Sequence, residues 1–165
     1  FTQAFDNYVD LPDRVNVPLR KYARISDEEI EERYEYENEH PEIVILADAT
    51  IVKGMNVLRG MPKGGTLVVN TDKTPEEILQ FIPNKDLLKQ IVCVDANKIC
   101  GNRTVDFSGS EGGIDSVGIG DGVAAPILGA FVKATKAVKL ESLSNVVKNK
   151  DAMYKGHDQA AIKTL

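Results

Sequence analysis

Three short apolar runs occur in the middle of the chain, and each ends in small polar residues. They cover residues 43–47, 66–70 and 91–94. Their positions are rich in β-branched side chains and do not alternate between apolar and polar, which is typical of strands covered on both faces of a parallel sheet. We therefore predict three buried parallel strands.

A broader apolar pattern predicts a helix over residues 123–135. From Val123 onward, apolar side chains recur at intervals of three and four positions. A second apolar row lies beside the first, and the two rows together make the apolar stripe too wide for a surface helix. Gly129 lacks a side chain, so another backbone can approach closely there. Pro126 is expected in the first turn, where its missing N–H group loses no internal hydrogen bond. We interpret the segment as a central helix held against the sheet; the alternative is a helix N-terminus that holds an anion.

Cap and turn residues indicate the remaining elements. Thr74 precedes Pro75 and two acidic residues, an arrangement typical of a helix start, so a helix is predicted over residues 74–79. Further expectations are two extended segments within residues 1–26 with a strand over 15–25, short turns over 52–58 and 84–89, a glycine-rich loop over 101–122, and an amphipathic helix over 139–148.

Strands that are separated by helical segments predict an α/β fold, with one mostly parallel sheet and helices on both faces in a three-layer sandwich. We expect one domain over residues 1–150 and a polar tail or linker over residues 151–165. Residues 1–5 have the pattern of a strand interior and contain no methionine, which predicts that the sequence is an excised piece of a longer protein.

Charge and composition exclude several classes of function. The net charge of the 165 residues is −5, and no cluster of Lys and Arg overrides it, so no nucleic-acid partner is expected. No apolar run approaches the ~20 residues that a membrane-spanning helix requires. Much of the acid lies within residues 27–39, where the spacing is not that of a metal site, and we interpret it as a solvated face.

The two cysteines indicate a reducing compartment. Cys93 lies in an apolar run and is predicted to be a small core residue, and the spacing to Cys100 is not a zinc pattern. Two cysteines are too few for an iron–sulfur cluster held by protein thiolates alone or for a disulfide framework. A cytoplasmic location is therefore expected.

The polar ends of the three predicted strands are the candidate site. They are Asp48, the pair Asn70 and Thr71, and Asp95. In open α/β sheets, ligands and partners bind at the carboxyl ends of the strands. Two alternatives stay open at these positions: a site, in which Asp48 and Asp95 could form a carboxylate pair, or the capping of the helices that follow.

Other residues with possible chemistry carry weaker signals. Gly120-Asp121-Gly122, with Asn145 or Asn149 about two dozen residues later, has the spacing that thiamine-diphosphate enzymes use to hold Mg²⁺ and the diphosphate. We interpret it as a chance match, because the preceding residues have the pattern of a loop rather than a strand. His40 and His157 are predicted to be surface residues, since neither has a flanking partner for nucleophilic catalysis.

Seven short motifs, in this order along residues 1–148, resemble a known family. They are Thr2-Gln3-Ala4-Phe5, Arg24-Ile25-Ser26-Asp27, Glu42-Ile43-Val44-Ile45-Leu46-Ala47-Asp48, Gly64-Gly65-Thr66-Leu67-Val68-Val69-Asn70-Thr71, Cys93-Val94-Asp95-Ala96, the run from Pro126 to Thr135, and Leu140-Glu141-Ser142-Leu143. The chain resembles the gamma subunit or gamma domain of thiamine-diphosphate-dependent 2-oxoacid:ferredoxin oxidoreductases, lacking the first strand and glycine-rich loop that the family has before the part matched here.

The resemblance implies a structural and assembly role beside the catalytic subunits. It implies that thiamine diphosphate, Mg²⁺ and iron–sulfur clusters lie in alpha, beta and ferredoxin-like delta subunits or domains, with ferredoxin as electron acceptor, and that no residue of this chain is catalytic or binds cofactor or metal. The implied substrate is a small 2-oxoacid, pyruvate-like or oxalate. The alternatives are a free-standing thiamine-diphosphate or nucleotide-binding module centred on Asp121 and a non-enzymatic interaction domain.

Overall fold

The computed structural model describes residues 1–7, 20–31, 38–101 and 121–165. The chain divides into two compact units, Phe1–His40 and Pro41–Leu165. In the first unit, β1 (Thr2–Asn7) and β2 (Arg20–Ile25) pair as antiparallel strands. The predicted strand over residues 15–25 is thus confirmed from residue 20 onward, and residues 15–19 lie outside the described part of the chain.

The second unit contains a four-stranded sheet in the order β3-β4-β5-β6. The strands are β3 (Ile43–Leu46), β4 (Gly65–Asn70), β5 (Leu88–Val94) and β6 (Ala161–Thr164). The first three are parallel, and β6 is antiparallel to β5. The three predicted parallel strands and the α/β fold class are confirmed.

Helical segments lie between and after these strands. They are a 3₁₀ helix at Ala49–Lys53, α1 (Pro75–Leu79), a 3₁₀ helix at Lys85–Leu87, α2 (Ala96–Cys100), α3 (Asp121–Thr135), α4 (Leu140–Ser144) and α5 (Lys150–Gln159). None of the helices in the described ranges is both long enough and apolar enough to cross a membrane.

Alternate residues of the central strand β4 belong to two different cores. Leu67 and Val69 pack in a cluster with Ile78 of α1, and the intervening Val68 packs in a second cluster with Ile127 of α3. Successive side chains of a strand point to opposite faces, so apolar layers cover both sides of β4. All six residues of β4 are buried. This arrangement confirms helices on both faces of a mostly parallel sheet.

Strand β3 differs from the prediction that all three strands are covered on both faces. Its burial is incomplete, and Ile45 is 42% exposed. In the described sheet β3 pairs only with β4, because it lies at an edge. The sequence pattern could not distinguish an edge strand from a central one, since both consist of the same β-branched residues.

The prediction of a tail or linker over residues 151–165 is wrong. These residues form most of α5 and all of β6, which pairs with β5. Ala152, Met153 and Gly156 are buried in α5. The segment carries many polar residues, so its apolar signal is weak, but small residues on one helix face suffice for packing when the facing helix also carries small residues.

Two of the three helical segments that the sequence predicts between the strands start at a side-chain cap. The helix predicted at residues 74–79 is confirmed, with a capping box in which Glu77 N–H donates to Thr74 Oγ1 at 3.4 Å and Thr74 N–H donates to Glu77 Oε2 at 2.8 Å. The turn expected over residues 52–58 is confirmed in part: a 3₁₀ helix capped by Asp48 covers Ala49–Lys53, and turn residues follow at 54 and at 57–58. The turn predicted over residues 84–89 is the 3₁₀ helix at Lys85–Leu87.

The amphipathic helix predicted over residues 139–148 is shorter in the structure, where α4 ends at Ser144. Asn149 accepts a hydrogen bond from Ala152 N–H at 3.1 Å and so begins α5 as a new helix. Three apolar residues of the predicted helix, Leu140, Leu143 and Val147, pack against the cluster that contains Met153, whereas Val146 is exposed.

Helix α3 confirms the predicted central helix but begins earlier, at Asp121. Pro126 therefore lies in the second turn and not in the first, which corrects the expectation. A proline inside a helix removes one internal hydrogen bond and clashes with the preceding turn. We infer that packing offsets this cost, because Pro126 is fully buried.

Helices α3 and α5 pack backbone to backbone, as the lack of a side chain at Gly129 predicts. A β-carbon at Gly129 would collide with the Met153 carbonyl oxygen and lie 2.7 Å from His157 N. A β-carbon at Gly156 would collide with the Cα and carbonyl oxygen of Pro126. Each helix thus supplies a glycine at the point where the other backbone passes.

We predict that Gly129→Ala and Gly156→Ala each lower the free energy of unfolding by about 2–3 kcal/mol, because the added methyl group meets backbone atoms that cannot move aside. Alanine is otherwise the better helix former by about 1 kcal/mol. Gly54→Ala is the matched control, since a β-carbon there meets nothing within 4 Å. Urea unfolding of the three variants measures the difference, and equal stabilities would contradict the close crossing.

Cys93 is a buried core residue, as predicted, with 4% of its surface exposed. Burial, assisted by the charge of Glu76, raises the pKa of its thiol from 9.0 to about 12. Between pH 9 and pH 12 the Cys93 thiol is ionised in the unfolded chain but stays protonated in the folded chain. The free energy of unfolding therefore falls as the pH rises above 9.

We therefore predict that, between pH 8 and pH 10, the parent loses about 1.4 kcal/mol more unfolding free energy than Cys93→Ala does. The reason is that only the parent has the thiol whose ionisation favours the unfolded chain. Urea unfolding at the two pH values tests this. Parallel losses in the two proteins would show that the thiol ionises equally well in the folded state.

Candidate functional site

The carboxyl ends of the three parallel strands border a cleft of about 870 Å³. Asp48 follows β3, Asn70 and Thr71 end β4, and Asp95 follows β5, and all four residues line this cleft. The structure therefore brings the predicted strand-end residues together. Further lining residues come from the segments that follow, including Asp72, Asn97, Lys98 and Val123 of α3.

The two strand-end carboxylates also cap helices, so both readings of these positions apply at once. Asp48 Oδ1 accepts hydrogen bonds from Thr50 N–H and Thr50 Oγ1, both at 2.8 Å. Asp95 Oδ1 accepts one from Lys98 N–H at 2.8 Å and begins α2. Each carboxylate thus uses one oxygen for its cap while lining the cleft.

The hydrogen bonds from Thr50 lower the pKa of the Asp48 carboxyl, with the backbone donor as the larger cause. A lowered pKa keeps this carboxyl ionised near neutral pH, so it is poorly suited to act as a general acid. Although Asp48 and Asp95 line the same cleft, this geometry favours a structural role for the hypothetical carboxylate pair.

Asn70 joins the ends of all three strands from the middle of the site. It is 5% exposed; its Nδ2 donates to the carbonyl oxygen of Ala47 at 2.9 Å, and its Oδ1 accepts from Ala96 N–H at 3.0 Å. Ala47 follows β3 and Ala96 begins α2 after β5. Asn70 therefore fixes the spacing of the strand ends and the shape of the cleft, a role that its position at the end of a buried strand did not reveal.

The neighbouring Thr71 completes this part of the wall. Its N–H donates to the Val94 carbonyl oxygen at 2.9 Å, and its Oγ1 accepts from Lys73 N–H at 3.1 Å. In contrast, Asp72, Asn97 and Lys98 are exposed. The cleft thus combines hydrogen-bonded side chains at the strand ends with exposed polar side chains beside them. The exposed polar groups are free of the solvent-excluded core and can contact another molecule.

Of the residues considered for metal or cofactor binding, neither Asn145 nor Asn149 lines this cleft. Asn145 is the C-cap of α4, and the side-chain oxygen of Asn149 caps α5. The side chain of Asp121 lies outside the described part of the chain. Among the residues that the structure describes, no group of three or more His, Cys, Asp and Glu side chains could hold a metal ion.

The histidines lie elsewhere. His40 is exposed, as predicted. His157 is partly buried on α5, with its Nδ1 3.1 Å from Oδ1 of the adjacent Asp158, and its backbone nitrogen is close to Gly129. Neither histidine lines the cleft.

Comparison with known proteins identifies relatives of this chain. Residues 17–154 match the model of the family described as pyruvate ferredoxin/flavodoxin oxidoreductase. The pyruvate/ketoisovalerate oxidoreductases common subunit gamma of Thermococcus litoralis is 29% identical over 137 residues, which are 83% of this chain and 64% of that protein. Pyruvate synthase subunit PorC of Thermotoga maritima is 31% identical over 144 residues, 87% of this chain and 63% of that protein.

A solved structure agrees with these matches. The crystal structure of pyruvate oxidoreductase subunit PORC from Thermotoga maritima superposes with a TM-score of 0.69 at 26% sequence identity, covering 99% of this chain and 82% of that one. The chain spans about 64% of the length of the Thermococcus litoralis subunit. These relatives bear out the resemblance to gamma subunits that the sequence motifs indicated.

We predict that Asn70→Ala lowers the free energy of unfolding by about 2 kcal/mol, because it leaves the buried N–H of Ala96 without its acceptor. Asn97→Ala is the matched control: Asn97 is exposed in the same cleft, so a change within about 0.5 kcal/mol is expected. Urea unfolding compares them. Equal stabilities would mean that Asn70 does not hold the strand ends together.

Proposed function

This chain belongs to the pyruvate ferredoxin/flavodoxin oxidoreductase family, and on that premise we propose that it is the gamma unit of a thiamine-diphosphate-dependent 2-oxoacid:ferredoxin oxidoreductase. In this proposal the complex oxidatively decarboxylates a small 2-oxoacid and passes two electrons to ferredoxin. The gamma unit has a structural and assembly role. The match of the family over residues 17–154 is the observation that carries the proposal.

The geometry of the cleft supports a role in assembly over one in chemistry. The carboxylates of Asp48 and Asp95 and the amide of Asn70 are hydrogen-bonded to the protein's own backbone. Groups held in this way shape a surface, whereas an acid or base must exchange a proton with a substrate. The exposed rim formed by Asp72, Asn97 and Lys98 can then contact a neighbouring subunit.

The Cys93 thiol also fits a structural role. Nucleophilic catalysis requires the thiolate, and a pKa raised to about 12 keeps this sulfur protonated near neutral pH. The sulfur lies in the apolar cluster on one face of the sheet, between the strands and α1. Packing in this apolar cluster is therefore a sufficient reason for a cysteine at this position, and no catalytic role is needed to explain it.

The name of one relative supports the view that the gamma unit does not select the substrate. In Thermococcus litoralis the subunit is named as common to pyruvate and ketoisovalerate oxidoreductases. If one gamma subunit serves two substrates, the groups that distinguish them lie in other subunits. The substrate that we propose for the complex is a small 2-oxoacid, pyruvate-like or oxalate, and we propose that it is selected by the other subunits.

The proposed partners are alpha, beta and ferredoxin-like delta subunits or domains. They hold the thiamine diphosphate with its Mg²⁺ and the iron–sulfur clusters. The whole complex works in the cytoplasm, where ferredoxin accepts its electrons.

We predict that the full-length protein alone does not oxidise pyruvate or oxalate and that the complex purified without it loses at least about 90% of its activity. The reason is that the chemistry resides in the partners while their assembly depends on this unit. Reduction of ferredoxin, followed by absorbance, measures both, and adding back the purified protein is the control.

Two results would overturn this proposal. One is full activity and normal assembly of the complex without this chain, and the other is turnover by the chain on its own. Calorimetry with thiamine diphosphate and Mg²⁺ distinguishes this proposal from the alternative, a free-standing cofactor-binding module centred on Asp121. Tight binding by the isolated protein that Asp121→Ala abolishes would favour that module.

A further inference from the structure

In the Phe1–His40 unit, the residues that the structure describes (1–7, 20–31 and 38–40) form no buried apolar cluster. None of the side chains described within this unit is buried, whereas the clusters of buried residues all lie in the Pro41–Leu165 unit. Its described sheet consists of two antiparallel strands, β1 and β2. Two strands without a covering layer are marginally stable in water. A surface that covers this pair of strands would therefore stabilise it.

One face of this small sheet is exposed. The register places Ala4 opposite Ala23 and Thr2 opposite Ile25. Alternation along each strand puts these four side chains on the same face. All four are exposed, and Ile25 is 54% exposed. Within the Phe1–His40 unit, no described residue covers this surface, which we call the Ala4–Ala23 face.

The opposite face is different. Phe5 and Tyr22 are a cross-strand pair there and are partly buried, and the guanidinium of Arg24 lies 5.8 Å from the centre of the Phe5 ring. The bulky side chains of that face cover one another. The Ala4–Ala23 face has small side chains beside Ile25 over its first two cross-strand pairs, so the backbone of another molecule can approach it closely there; the next pair on this face, Asp6 and Lys21, is charged.

The charge of the unit indicates what kind of molecule covers this face. Residues 1–40 contain eleven acidic and five basic residues, a net charge of −6, whereas residues 41–165 have a net charge of +1. The exposed carboxylates of Asp27, Glu28 and Glu31 follow β2 directly. An apolar surface next to a dense negative charge is complementary to an apolar patch that is bordered by Lys and Arg.

We propose that the Ala4–Ala23 face docks on another subunit of the oxidoreductase complex, which presents an apolar patch bordered by basic side chains. This inference rests on the proposed function, because membership of the complex supplies the partner. Apolar contact with Ile25 and close approach over the alanines give the affinity. The neighbouring carboxylates accelerate the encounter with the basic border.

The test measures the binding of the full-length protein to the complex purified without it. Ala23→Arg adds bulk and a positive charge to the face, and we expect it to weaken equilibrium binding at least about tenfold. Ala137→Arg is the matched control, because Ala137 is an exposed alanine in the Pro41–Leu165 unit. Since Ala23 is exposed, the thermal unfolding midpoint of the variant should equal that of the parent. Ile25→Lys is the second variant on the same face.

The charge is tested separately through the association rate. Reversing Asp27, Glu28 and Glu31 to Lys should slow association at low ionic strength at least about tenfold and reduce its dependence on salt. The control reverses three exposed carboxylates of the other unit, Glu42, Asp86 and Glu141. Equal association rates for the two triple variants would contradict the basic border.

The outcomes separate this inference from the proposed function. Parent-like binding by both Ala23→Arg and Ile25→Lys would overturn the docking face while leaving the proposed function intact. A dimer of the isolated protein that Ala23→Arg dissociates, with unchanged binding to the complex, would assign the face to a second copy and overturn the inference. Failure of the parent itself to bind the complex would overturn the proposed function, and the docking face with it.

Discussion

The backbone contact between α3 and α5 is the constraint on which the second unit depends. Gly129 and Gly156 let the two helices approach closely enough that no side chain fits between them. This contact fixes α5, and α5 leads directly into β6 at the edge of the sheet. Lys133 adds to it, because its Nζ donates to the carbonyl oxygens of Asp158 and Ala160 at 3.0 Å each, at the end of α5. The last strand is therefore positioned by helix packing as well as by its own ladder.

The cleft results from the hydrogen bonds that the chain needs where the parallel strands end. Parallel strands end together at one edge of the sheet, and the chain must turn there into helices whose first N–H groups need acceptors. Asp48 and Asp95 supply those acceptors, and Asn70 ties the neighbouring segments to each other. Side chains required for folding are thus the ones that give the cleft its wall. A surface built this way is polar and is held by internal hydrogen bonds, and such a surface is suited to an interface between subunits.

The two units of the chain offer contrasting surfaces to an assembly. The Pro41–Leu165 unit has a packed core on both sides of its sheet, and its net charge is close to zero. The Phe1–His40 unit is acidic, and none of its described side chains is buried. This division is consistent with the proposed role, in which shape and charge are contributed to a complex whose chemistry lies elsewhere.

The sequence alone determined the elements whose signals are local. β-Branched runs marked three parallel strands, Thr74 with Glu77 marked a helix start, and ordered motifs marked the family. It misjudged residues 151–165, because α5 and β6 are defined by the surfaces they pack on and not by their own apolar content. Likewise, the sequence predicted that the strand-end residues meet. It did not predict that Asp48 and Asp95 cap helices and line the cleft at the same time, or that Asn70 joins neighbouring segments. Those roles depend on distances between segments far apart in the chain, and only the tertiary structure decides such distances.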